Sequence, residues 1–330
     1  MGFAGKGKRR PQLDIGIDLI EVDKFNPRLV PYLENQDEAT QFDLISVLYE
    51  NFDTEVVAMS LVENGYFDEE PIIVVPKNIP SDFSFSDFYD KPDELATAIQ
   101  ELINKNQIDF IVVEGNRRTS AIKLITNNYL RKKLDIDKFY PKTNNEDIIE
   151  DISNIPCIIY EKREDVSSYL GVRHIAGLLK WEAFAQAAYT ASVIEQELER
   201  GLSISDSIKQ VQKVVGDRSD KLRKQYIAYK IFIEARDNLD NYNVKPIIDK
   251  FSLLTVAYNS SSIRDYIGVL PYSKVDLNKE IIETTKLDEF KNLLTWIYGN
   301  KETNEQPVLT DSRKITNTLS HVVKEPEAIE

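Results

Sequence analysis

Strand-like runs occur in only one half of this chain, and that asymmetry limits the folds open to it. Four segments are rich in β-branched and aromatic residues: 13–22 (LDIGIDLIEV), 71–75 (PIIVV), 109–113 (DFIVV) and 155–160 (IPCIIY). The first largely alternates apolar and polar residues, as a half-buried or edge strand does, whereas 71–75 and 109–113 read as buried strands. Helical patterns fall between them. Residues 40–64 read as two short helices, the second (TEVVAMSLVENG) stopped by Gly65, and residues 93–105 read as another. An acidic, aromatic insertion (NIPSDFSFSDFYDKPDEL) precedes that last helix. Beyond residue 165 strand patterns nearly vanish. The expected class is α+β: a basic arm over 1–12, a small mixed α/β domain over 13–165, and an all-α half divided into 166–239 and 240–330.

Within the all-α half, residues 167–200 form one long helical pattern that includes Trp181, Phe184, Ala188 and Val193. Residues 201–232 then show a Ser-capped helix (Ile204, Ile208, Val211, Val215), a break at Gly216-Asp217, and a second helix with Leu222, Tyr226, Ile227 and Tyr229. Two helices joined by a Gly-containing turn have the layout of a helix-turn-helix, and equally of two packed helices in any all-α domain. Charge favours the first alternative. Between Lys209 and Lys230 stand seven basic residues, against Asp217 and Asp220 alone. In such motifs the start of the second helix meets base edges while flanking cations hold phosphate. Lys213, Arg218, Lys221, Arg223, Lys224 and Gln225 are therefore the expected DNA contacts.

The whole chain has a formal net charge of −14, which opposes indiscriminate nucleic-acid binding. The distribution is uneven: residues 51–100 hold eleven acids and two bases, and residues 201–250 hold ten bases and seven acids. DNA contact is thus expected at one face only, and the acidic 51–100 region could receive a basic protein partner. A lone cysteine, Cys157, allows no internal disulfide, and its apolar strand marks it as core. His174 and His321 are too far apart in sequence to suggest a metal centre. With no apolar run of roughly 18 residues and no apolar leader at the start, a cytoplasmic location is expected.

The segment 109–124 (DFIVVEGNRRTSAIKL) concentrates the chemistry. After the strand, Ala121, Leu124, Ile125 and Tyr129 recur at helical spacing, and Asn116 suits an N-cap behind a permissive Gly115. Arg117 and Arg118 then fall in the first turn. That end already carries about half a positive charge and unpaired N–H groups, so cations there are disfavoured unless an anion joins them. Arginines paired with nearby carboxylates are the plainer alternative. A phosphate, held by helix-start amides and a guanidinium fork, is the functional one. Glu114, beside this corner, is either a surface acid paired to an arginine or a metal, ribose or catalytic contact. His174 is either a packed or capping residue or a ligand contact beside Arg173.

The order of these segments resembles the N-terminal domain of ParB-type partition proteins, a fold shared with sulfiredoxin. Residues 17–28 (IDLIEVDKFNPR) resemble that family's first strand and its Asn-Pro…Arg box, and EVVAMSLVENGYFDEEPIIVV resembles the helix and strand that follow. VVEGNRRTSAIKL resembles the segment with the Gly-Glu-Arg-Arg motif, while IPCIIYEK and WEAFAQAAY resemble the passage into its DNA-binding helices. The likeness covers roughly residues 13–235. It implies a nucleoside triphosphate, CTP foremost and possibly with Mg2+, bound by Gly115, Asn116, Arg117, Arg118 and the following Thr119, with Arg28 from the Asn-Pro-Arg box. It also implies DNA as a partner, and a homodimer.

Two departures stand out. Asn116 replaces the motif's Glu, near where sulfiredoxins hold their catalytic Cys, so sulfiredoxin chemistry is not expected. Arg173 and His174 stand where the family has a Glu-Asn…Arg box that helps hold triphosphate and magnesium. The first expectation is a nucleotide-switched DNA-binding protein. The alternatives are a phosphoryl-transfer enzyme or nuclease of a mobile-element or phage-defence system, with Glu114 catalytic, and an assembly protein with a vestigial pocket.

Overall fold

The β-rich segments assemble into one five-stranded mixed sheet in a computed structural model, which describes residues 9–33, 35–176, 181–215 and 220–325. The chain divides into two compact units, 1–170 and 171–330. In the first, strands β1 (Gln12–Gly16), β2 (Ile20–Val22), β3 (Ile72–Pro76), β4 (Phe110–Glu114) and β5 (Asn154–Ile159) lie in the order β1-β5-β3-β4-β2. β1 pairs antiparallel with β5, β5 parallel with β3, β3 antiparallel with β4, and β4 parallel with β2.

The single strand expected over 13–22 is two strands on opposite edges of this sheet. A 3-10 turn over Ile17–Leu19 separates them, next to Gly16, so the alternating pattern serves two partners rather than one. β3 lies at the centre, and its run from Ile72 to Val75 is buried throughout.

Helices α1 (Gln41–Asn51), α2 (Thr54–Asn64), α3 (Pro92–Asn104), α4 (Asn116–Thr126), α5 (Asn128–Lys133), α6 (Glu146–Ser153) and α7 (Arg163–Gly171) complete this part of the chain. Side chains cap three of these starts. Thr40 and Asp43 form a capping box on α1, and Asn127 and Asn145 cap α5 and α6 through their side chains. Gly65 ends α2 with a positive φ of 75°. α4 is the central helix: Ala121, Ile122, Leu124 and Ile125 are buried in the same core as Val74, Phe110 and Val112. It ends earlier than expected, so Tyr129 sits on α5 and is exposed. The buried Arg131 takes over the end of α4, donating to the carbonyls of Leu124 (2.7 Å) and Ile125 (2.6 Å) and pairing with Asp137 (2.8 Å). A cation on terminal carbonyls complements the helix dipole. Cys157 is buried core, as its strand pattern implies.

Among the described residues of the second unit there is no strand beyond an isolated bridge between Asn300 and Glu305. The long helix expected over 167–200 is interrupted: α7 gives way to a π-helical turn over Val172–Ala176, and α8 spans Ala183–Glu199. α9 (Ile204–Val215) and α10 (Lys221–Asn238) pack on α8, followed by α11 (Lys245–Asp249), α12 (Phe251–Asn259), α13 (Ser261–Tyr266) and α14 (Leu287–Tyr298). Phe184, Phe232 and Phe251 make a mutually edge-on aromatic core that ties α8, α10 and α12 together. Glu234 is buried on α10 and accepts from the amides of Ile281 (2.7 Å) and Ile282 (2.8 Å), so residues on both sides of 239/240 belong to one packed body. No helix among the described residues is long and apolar enough to cross a membrane.

Candidate functional site

The corner where β4 meets α4 is built from a strict steric demand. Gly115, not Asn116, is the N-cap of α4, with a φ of 110°. A Cβ at Gly115 would lie 2.4 Å from Cγ2 of Ile72 on the neighbouring strand. Glycine is therefore fixed here by backbone conformation and by β3 packing together. Asn116 is the first helical residue and is buried. Its Oδ1 accepts from the Asp23 amide (3.0 Å) and its Nδ2 donates to the Val113 carbonyl (3.3 Å). The side chain read as a cap thus joins two chain segments instead.

Asp23 begins the loop after β2. Because β2 and β4 are parallel neighbours, with Val22 level with Val112, the 23–30 loop and the start of α4 leave the sheet at the same end. In open α/β sheets that is where ligands gather. The loop is tightly folded: the Asn26 side chain accepts from the Arg28 amide (3.0 Å), and the Leu29 amide donates to the Asn26 carbonyl (2.8 Å). Arg28 itself is half-buried. Below the loop, Arg163 pairs with the buried Asp23 carboxylate and donates to the Phe25 carbonyl (2.9 Å). Burial raises the Asp23 pKa from its ordinary value, and the Arg163 charge and hydrogen bond oppose that rise.

The two arginines of α4 have protein partners. Arg117 donates to the Asp53 carbonyl (3.2 Å), where Asp53 takes the left-handed conformation that starts α2. Arg118 donates to the Tyr66 hydroxyl (2.8 Å) and to the Glu70 carbonyl, and lies 3.6 Å from the Glu70 carboxylate. Tyr66 in turn donates to the Glu70 carbonyl (2.8 Å), and burial pushes its phenol pKa upward. Thr119 is fully buried in the core, with no surface to offer a ligand in this conformation. Glu114 ends β4, half-buried and level with Ile73. Among the described residues no three His, Cys, Asp or Glu groups cluster as a metal centre would require. An open cavity of about 430 Å³ lies elsewhere, lined by Tyr32, Asn35, Glu38, Asp43 and Val47. Its two carboxylates make it a poor place for phosphate.

The helical unit receives the remaining candidates. His174 is buried within the π-helical turn and stacks on Trp181, with ring centroids 4.1 Å apart and planes 8° apart; Trp181 meets Tyr189 edge-on at 5.2 Å. His174 is therefore a packed core residue, and Arg173 beside it is half-buried. On α10, Arg223 donates to the carbonyls of Tyr272 (2.8 Å) and Val275 (3.2 Å), and the Lys224 ammonium lies 4.6 Å from the centre of the Tyr272 ring. Gln225 donates to the Gln186 side chain of α8 (3.0 Å). These three side chains hold the unit together. Lys213 and Lys221 remain exposed, and Arg218 lies outside the described residues.

Sequence reading missed Asp23, Arg163, Tyr66 and Glu70. Asp23 and Arg163 are 140 positions apart, so no local pattern joins them, and the roles of Tyr66 and Glu70 exist only once α2 has packed on α4. Compared with family models, curated proteins and solved structures, the chain matches none of them.

Proposed function

We propose that the first unit binds the phosphates of a nucleotide at the start of α4, and that this binding governs contact of the helical unit with DNA. The observation that carries the reading is the Asn116–Asp23 hydrogen bond. It fastens the Asn-Pro-Arg loop to the helix start at the shared end of two parallel strands. The first-turn amides of α4 have no intrahelical acceptor by helix geometry, and they carry the positive end of its dipole. Arg117 and Arg118 flank them, and Arg28 lies in the attached loop. A polyphosphate would satisfy amides and guanidinium groups together. CTP is the nucleotide favoured by the resemblance to ParB-type domains. For DNA, the support is the net positive 201–250 segment, with Lys213 and Lys221 as exposed contacts.

Calorimetric titration of the four ribonucleoside triphosphates, with magnesium, into wild type and Arg117→Ala tests the first half. One triphosphate should bind wild type and bind the variant at least tenfold more weakly. Absence of binding by all four to folded protein would overturn the reading. A second reading, an assembly protein whose arginines serve only as internal clamps, is favoured by the contacts of Arg117 with Asp53 and of Arg118 with Tyr66 and Glu70. It predicts that neither arginine variant alters any anion affinity.

A further inference from the structure

The loop that follows α2 carries three consecutive acids, Asp68, Glu69 and Glu70, and brings the last of them to Arg118. Its foot is firmly set. Gly65 adopts its positive φ close against the Asp151 carboxylate, which also accepts from the Tyr66 amide (2.6 Å). From that foot the loop surrounds one guanidinium nitrogen with three oxygens: the Tyr66 hydroxyl, the Glu70 carbonyl and, at 3.6 Å, Oε2 of Glu70.

Of the three, only the carboxylate offers the guanidinium an anionic oxygen, as a phosphate would. The carboxylate is the weakest held of the three. The Glu70 side chain is 60% exposed, against 19% for Arg118, and an exposed pair at this distance is screened by water and salt. Exchange of that one partner thus costs little, whereas the phenol and carbonyl contacts keep Arg118 aimed.

We infer that Glu70 is a built-in competitor for the anion site: its carboxylate occupies Arg118 in the free protein, and a bound phosphate displaces it. The inference rests on the phosphate-site reading above. It adds that the acid-bearing loop sets how much negative charge a ligand needs.

The test is titration of inorganic triphosphate and of the four ribonucleoside triphosphates into wild type, Glu70→Gln, Arg118→Ala and the double variant, at low and moderate salt. Glu70→Gln should bind about two- to fivefold more tightly than wild type at low salt, the range expected from an exposed ion pair, with the gain shrinking as salt is added. In the Arg118→Ala background the same substitution should give no gain. Equal or weaker binding by Glu70→Gln, with wild type still binding, overturns the inference and leaves the phosphate site standing. A gain that persists without Arg118 also overturns it, since it would reflect general relief of negative charge. Failure of every protein to bind any of these anions overturns both.

Discussion

Two helix starts in this molecule carry clustered cations, and the fold uses them differently. At α4 the cations flank a corner made by Gly115 and Asn116, where a loop from β2 is fastened beside amides that the helix cannot satisfy. At the start of α10, Arg223 and Lys224 bind the 272–275 segment and Gln225 binds α8, so the polar side chains are spent on cohesion. The lesson is that a run of bases at a helix start does not distinguish ligand contact from internal clamp. What distinguishes them is whether a second segment supplies acceptors to the cations or joins them in facing outward. By that measure Arg117, which donates to the Asp53 carbonyl, is held as a clamp is, and Arg118 is intermediate, since its acidic partner Glu70 is exposed and its Tyr66 partner is buried.

The largest effect expected from breaking the α4 corner is that of Gly115→Ala. The added methyl meets Ile72 and the backbone stays left-handed, so unfolding free energy should fall by about 2–4 kcal/mol in denaturant titration. Asn116→Ala comes next, at about 1–3 kcal/mol, because the buried Asp23 amide loses its acceptor. It should also weaken triphosphate binding if the 23–30 loop belongs to the site. In the second unit, Arg223→Ala should cost about 1–2 kcal/mol by freeing two carbonyls, and hydrogen exchange should quicken in 270–276 without change in the first unit.

The smallest effect is a pH dependence. Burial raises the Glu234 pKa above its ordinary value, with the Ile281 and Ile282 amides pulling it back. Its proton is therefore held more tightly folded than unfolded. That contribution is complete below the unfolded pKa and is lost as pH rises through the higher folded one. Melting curves between pH 4 and 7 should show this slope in wild type and a flatter one in Glu234→Gln.

Much of this architecture was legible in the residues. The apolar run at 71–75, the Gly65 stop and the strand–glycine–helix at 109–124 all form where their patterns place them, because local propensity and burial agree there. The first strand failed that test. Its alternation hid a turn, since Ile17 and Ile20 are both buried whichever edge each side serves. At the candidate site the sequence revealed the glycine and the arginines but not their settings. Arg118 acquires Tyr66 and Glu70, and Asn116 acquires Asp23, only through contacts 48 to 93 positions away, which periodicity does not encode.

Amide hydrogen exchange across the whole chain, with and without each ribonucleoside triphosphate, addresses the central claim most directly. The account predicts that one triphosphate slows exchange together in 23–30 and at 116–118, segments joined by the Asn116–Asp23 hydrogen bond. Protection confined to 204–236, or no change in either segment with any triphosphate, would contradict it.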